Sequence, residues 1–127
     1  MEKSQKFSVV DRLKSFKYAF NGLRLFFIND HNGRVHFSAA IIAIGLSWFL
    51  HVSALEWVTI LLIIGAVIVT EMINASIEKL ADIVSPEYHP KIKIVKDVAA
   101  GAVLVTAFLA VIIGGIIFIP KLLSCIS

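Results

Sequence analysis

Trp57 to Asp82 reads WVTILLIIGAVIVTEMINASIEKLAD, and this stretch decides the fold. It runs without a charge from Trp57 to Thr70, then sets Glu71, Asn74, Glu78 and Asp82 at intervals of three, four and four. At about 100° per residue these four side chains fall within an arc of roughly 80° on one helix face. Three carboxylates and an amide beside hydrocarbon are costly, and ionisable groups at membrane depth mark function by default. Such an anionic row wants a cation, either a metal ion or a metal-bound phosphate.

Working outward, two more apolar stretches flank this one. The first runs from Phe37 to Leu50 and extends to Leu55, and the third runs from Ala99 to Ile119 without a charge. Only the third reaches the roughly 20 residues that span a bilayer unaided. The shorter two recruit flanking polar residues. The chain of 127 residues is 58% hydrophobic and 17% charged, too little charge for a soluble domain of this length. The expectation is one all-α membrane unit over 1–127, with three transmembrane helices lying within 35–55, 56–84 and 97–119.

Before them, residues 7–28 carry Phe7, Val10, Leu13, Phe16, Phe20, Leu23 and Phe27 at helical intervals, with Arg12, Lys14, Lys17 and Arg24 between. That pattern predicts an amphipathic helix lying in the membrane interface. No signal peptide is expected, because the start is polar and basic and lacks a cleavage pattern. The lone Cys125 rules out an intrachain disulfide.

The net charge of +3 is unevenly placed. Lys and Arg crowd the segment before the first span and the loop around Lys79 to Lys96, while the connection from His51 to Glu56 has none. The positive-inside rule then puts the N-terminus and the acidic stripe in the cytoplasm. The basic balance fits this topology and anionic headgroups, and no aromatic-interleaved patch points to nucleic acid.

Asp30 or Asn32 in the break Asn29–Gly33 is suited to cap the next helix. Ser85-Pro86 ends the acidic helix, Glu87, Tyr88, His89 and Pro90 form a polar loop, Lys96-Asp97 opens the third span, and Pro120 closes it. Glu71 lies nearest the hydrocarbon, where loss of water strengthens a carboxylate as a base. Glu78 and Asp30 offer hard oxygen ligands of the kind Mg²⁺ uses together with phosphate oxygens. Asn74 can orient either glutamate, and Lys96 can neutralise a transferring phosphate. A base, two metal ligands and a phosphate cation are the parts phosphoryl transfer requires. The structural alternative is an ion-pair cluster in which Glu71 binds Lys96, Asp82 pairs with Lys79 or stays solvated, and Asp30 is only a cap. No glycine-rich phosphate loop or protein-kinase signature is present.

The runs Glu71-Met-Ile-Asn-Ala-Ser-Ile-Glu78, Asp82, Ser85-Pro-Glu-Tyr-His-Pro90 and Lys96-Asp-Val-Ala-Ala-Gly-Ala-Val103 closely resemble the prokaryotic diacylglycerol kinase family, which includes undecaprenol kinases. The resemblance covers roughly residues 70–120, including Ile119-Pro-Lys-Leu122, and more weakly Phe16 to His36, where Tyr18-Ala-Phe-Asn-Gly-Leu-Arg24 carries it. It implies a multi-pass kinase of the bacterial inner membrane, a homotrimer with active sites shared between subunits at the cytoplasmic face. Such an enzyme moves the γ-phosphate of ATP, with Mg²⁺, to the hydroxyl of a membrane lipid. By position the resemblance makes Glu71 the catalytic base and Asp30 and Glu78 the metal ligands. It makes Tyr18, Glu87, Tyr88, His89, Lys96 and Asp97, with Asp30 and Glu78, the ATP contacts, and Asn74 and Asp82 supporting residues.

Two departures stand out. The family commonly has glutamate where Asp30 stands, one methylene longer. Arg12 lies one position away from the family's N-terminal basic residue. The acceptor implied is undecaprenol or diacylglycerol, and the Ser-Pro-Glu-Tyr-His-Pro and Ile-Pro-Lys-Leu runs look more like the undecaprenol-using branch. Two other classes compete: a small oligomeric transporter using Glu71 for proton coupling, and a membrane scaffold that would tolerate loss of Glu71 or Glu78.

Overall fold

Helix α1 runs Val9–Asn29, α2 His31–Phe49, α3 Ala54–Val84 and α4 Pro90–Ile126. These elements come from a computed structural model that describes residues 8–127. Phe7, expected to begin the amphipathic helix, lies outside the described residues. Ser8 caps α1 by accepting the Asp11 N–H, which satisfies one orphan donor of the first turn. Leu13, Phe16 and Phe20 of α1 are exposed in the single chain, and Phe26 is its one buried residue.

A single residue separates α1 from α2. The Asp30 N–H donates to the Phe26 carbonyl at 2.8 Å, closing α1. Its Oδ2 accepts the Gly33 N–H at 3.0 Å, opening α2. Arg34 Nη1 donates back to the Ile28 carbonyl at 2.6 Å. The Phe26 ring lies over Gly33, where a Cβ would stand 2.5 Å from the ring's Cζ. The corner is therefore closed by backbone capping and by a glycine that admits the ring.

At the opposite end α2 stops at Phe49, and Leu55, expected in the first span, belongs to α3. His51 turns the chain with a φ of 52°. Ser53 and Glu56 then form a reciprocal capping box, Glu56 N–H to Ser53 Oγ and Ser53 N–H to Glu56 Oε1 at 2.9 Å. That box restarts the helix immediately. Glu56 also meets Lys121 of α4 at 3.2 Å, tying the start of α3 to the last turns of α4.

Two of the three prolines, Pro90 and Pro120, act differently from the sequence expectation. α4 opens at Pro90, not at 97, because a proline in the first turn loses no helical hydrogen bond and arrives with a helical φ. His89 Nδ1 caps it by accepting the Lys91 N–H. Pro120 lies inside α4, which continues past 119 to Ile126. Proline there removes only the bond to the Ile116 carbonyl, and the turn is held on both sides. Ile117 and Phe118 pack against Val52 and Ile60, and Lys121 is held by Glu56.

α3 and α4 are long and apolar enough to cross a membrane, and only 6% of the most apolar window of α4 is buried within the chain. The core helix of a soluble protein would be mostly covered, so α4 needs lipid or another protein around it. α2 does not meet the same criterion of length and composition, because His31, Asn32, Arg34 and His36 occupy its opening turns.

Midway along the α3–α4 contact, the Thr70 and Thr106 hydroxyls bond each other at 3.0 Å. Each also lies within reach of a carbonyl of its own helix, Thr70 of Ala66 and Thr106 of Val103, so one hydroxyl donates across the pair and the other to its carbonyl. Replacing either threonine with valine is expected to cost roughly 1 kcal/mol, as an interhelical hydrogen bond does in lipid. The double variant should cost less than the two single losses added together. Detergent-induced unfolding of all four proteins tests this, and strict additivity would refute the pairing.

Candidate active site

The stripe on α3 is graded by burial. Glu71 is 2% exposed and Asn74 7%, while Glu78 and Asp82 are exposed. The gradient follows from the helix leaving the packed bundle, since α2 covers its upper part and ends its cover below Glu71. The Asp30 corner then brings a second carboxylate to the same place. The Asp30 side chain is within hydrogen-bonding reach of Glu71, and both Asp30 and Glu78 act on Glu71 as like charges. Facing carboxylates of this kind repel until a cation comes between them.

Asn74 Oδ1 is buried with no hydrogen-bond partner among the described residues. An unsatisfied buried carbonyl costs roughly 1–3 kcal/mol and demands an explanation. It offers a further hard oxygen beside the carboxylates. Among the described residues no group of three or more His, Cys, Asp or Glu side chains could hold an ion alone. The donor set therefore fits Mg²⁺ as that ion is usually held, by one or two carboxylates with phosphate oxygens and water completing the shell.

Glu71 does not bind Lys96, as the structural alternative required. Lys96 Nζ donates to Asp82 Oδ1 at 2.8 Å, and Asp82 pairs neither with Lys79 nor with solvent alone. Lys93 likewise meets Asp97 at 2.6 Å, one turn apart on α4. These hydrogen bonds to carboxylates push both lysines above their usual range, so both stay charged. Each lies ahead of the apolar run that begins at Ala99. Both pairs are largely exposed, and such pairs contribute little to stability.

Beyond Lys96 the loop opens a cleft of about 280 Å³ lined by Asp82, Glu87, Tyr88, His89, Lys93 and Lys96 among others. Ser85 Oγ donates to the Glu87 carbonyl at 2.8 Å and shapes the turn. Glu78 acts electrostatically on Lys96, so the acidic cluster and this basic-rimmed cleft are contiguous. Glu71, Asn74, Glu78 and Asp30 are thus brought together, and Glu87, Tyr88, His89 and Lys96 form a second group beside them. Asp97 is engaged by Lys93. Tyr18 is 69% exposed on α1. It stands about 18 Å along the helix from Asp30 at 1.5 Å per residue.

Two neighbours of the site escaped the sequence reading. His36 Nε2 lies 3.9 Å from Glu71 Oε2, and Lys93 lines the cleft. His36 follows Asp30 by six residues, a spacing with no meaning until α2 is packed on α3. Lys93 was legible only as part of a charged boundary.

The model of the family described as prokaryotic diacylglycerol kinase matches residues 17–118. The chain is 38% identical over 109 residues to the undecaprenol kinase of Bacillus subtilis (strain 168), covering 86% of this chain and 89% of that protein. It is 38% identical over 113 residues to a diacylglycerol kinase of Synechocystis, covering 88% of this chain and 65% of that protein. It is 31% identical over 100 residues to the diacylglycerol kinase of Escherichia coli (strain K12), covering 79% and 82%. The matched span holds both carboxylate-bearing segments and the whole loop from Ser85 to Pro90. The chain therefore belongs to the prokaryotic diacylglycerol kinase family, a family of lipid kinases.

Proposed function

We propose that the protein transfers the γ-phosphate of MgATP to the primary hydroxyl of a membrane lipid, undecaprenol or diacylglycerol. The observation that carries this reading is Glu71, a carboxylate 2% exposed at the boundary of the apolar run and faced by two more carboxylates. A base at that height meets a hydroxyl borne at the surface of the hydrocarbon. Glu71 takes the hydroxyl proton, the oxygen attacks the γ-phosphorus, and the bond from that phosphorus to the β–γ bridging oxygen breaks. A lipid phosphate and ADP leave, and the proton passes from Glu71 to water. Lys96 and the loop at Glu87, Tyr88 and His89 hold the nucleotide, with Tyr18 and Asp97 as further contacts. Asn74 orients the glutamates, and Asp82 holds Lys96. Asp30 and Glu78 would hold Mg²⁺, which when bound neutralises phosphate charge.

The same reading gives α2 as a third span, with α1 lying in the interface of the bacterial inner membrane and the site in the cytoplasm. It also makes the protein a homotrimer. The exposed length of α4 and the 18 Å between Tyr18 and Asp30 support that assembly, because a neighbouring copy can supply the missing wall. A proton-coupled transporter built on Glu71 has no use for the Lys96 cleft. Relatives named for each of the two acceptors are 38% identical to this chain, so the acceptor is for experiment to assign.

In detergent micelles with labelled ATP and Mg²⁺, label is expected in undecaprenol, dioleoylglycerol or both. Glu71→Gln and Glu78→Gln should each lower turnover by at least about a hundredfold, the scale of a lost general base or metal ligand, with assembly unchanged on gel filtration. Full activity in either variant would remove that residue from the mechanism. Asp30→Asn separates two roles, because the amide oxygen can still accept the Gly33 N–H while the charge is gone. Its melting temperature should match wild type, and its Mg²⁺ requirement should rise about tenfold. An unchanged Mg²⁺ titration would leave Asp30 as a cap alone.

A further inference from the structure

A cavity of about 310 Å³ lies between α2, α3 and α4. Its walls include Ala39, Ala40 and Ala43 of α2, Ile60 and Val67 of α3, and Phe118 of α4. All the lining side chains are apolar except one, His36, which stands at the end nearest Glu71. From His36 to Ala43, and from Ile60 to Val67, the walls extend about 10 Å at 1.5 Å per residue. The volume falls at the lower end of ordinary ligand pockets.

His36 Nε2 and Glu71 Oε2 are 3.9 Å apart, too far for a hydrogen bond between them. The separation does suit one oxygen bonded to both. At about 2.8 Å from each atom, an ordinary hydrogen-bond length, that oxygen would see them at close to a right angle. A hydroxyl is the group such a site fits, since it accepts from an imidazole N–H and donates to a carboxylate. Water would bond the same two atoms but leave the adjoining apolar cavity unfilled, whereas an alcohol on a hydrocarbon chain matches both regions.

We infer that His36 is a substrate-contacting residue, whose Nε2–H holds the acceptor hydroxyl against Glu71 while the attached hydrocarbon lies in the adjoining apolar cavity. The inference rests on the lipid-kinase reading and adds to it the group that aims the acceptor oxygen. The oxygen keeps one lone pair on His36 as its proton goes to Glu71, which leaves another directed at phosphorus. Asp30 is fixed by the Gly33 N–H and Lys96 by Asp82, so neither of these two residues depends on His36 for its place.

The test compares wild type, His36→Ala and His36→Gln in micelles. Initial rates are measured against lipid at saturating MgATP, and against MgATP at saturating lipid. His36→Ala should lose about tenfold in kcat/KM for the lipid, the scale of one hydrogen bond, while KM for ATP stays within about twofold. His36→Gln, whose amide N–H can reach the same oxygen, should recover a measurable part of that loss. An alanine variant within about twofold of wild type on the lipid would overturn the assignment. So would a loss shared equally by ATP and lipid, or a glutamine variant no better than alanine, since either marks a structural role. If wild type itself labels no lipid, the lipid-kinase reading fails and this assignment falls with it.

Discussion

Burying a carboxylate at the end of an apolar run is the constraint on which the rest of this molecule turns. Glu71 is almost fully covered, and a buried charge is tolerated only when partners compensate it. The partners supplied here are unusual in sign. Asp30 and Glu78 are acids, and among the described residues Asn74 Oδ1 has no partner and the nearest basic nitrogen, on His36, stands beyond hydrogen-bond distance. The single chain thus assembles an acceptor-rich hollow that stays incompletely satisfied. Lys96 is held elsewhere by Asp82, so the obvious counter-ion within the chain is kept off the hollow.

The scaffold reads as a means of holding that hollow open. α3 and α4 are fastened at both ends and in the middle, by Glu56 with Lys121, by the threonine pair, and by Asp82 with Lys96. α2 closes over Glu71 but contributes small residues further up, which leaves the apolar cavity unfilled. Fastening and under-filling go together. A bundle with alanines facing a gap would ordinarily shrink, and cross-links at three heights resist that collapse.

Much of the site was visible in the chain before any packing was known. Glu71, Asn74, Glu78 and Asp82 share a helix, so their common face follows from helical spacing alone. The same holds for the cap at Asp30 and the loop at Ser85 to Pro90, whose composition permits little else. What depends on two helices meeting was not visible. His36 gains its meaning from how α2 lies on α3, Lys96 from choosing Asp82 over Glu71, and Thr70 from finding Thr106. The ends of α4 were misread for a different reason. Proline was taken as punctuation at 90 and 120, yet Pro90 sits where its ring starts a helix and Pro120 where packing on both sides holds the turn.

The corner at Asp30 carries a consequence for how this chain can change. One residue closes α1 and opens α2 while presenting its carboxylate to Glu71, so the junction has no slack. Adding or deleting a residue there would turn α1 about its axis by about 100° relative to the bundle. The side carrying Leu13, Phe16 and Phe20 would swing away from wherever it now rests, and the carboxylate would leave its place. Substitution at this junction keeps the two helices in register, whereas a change in length does not, so the two helices are bound to vary as a single piece.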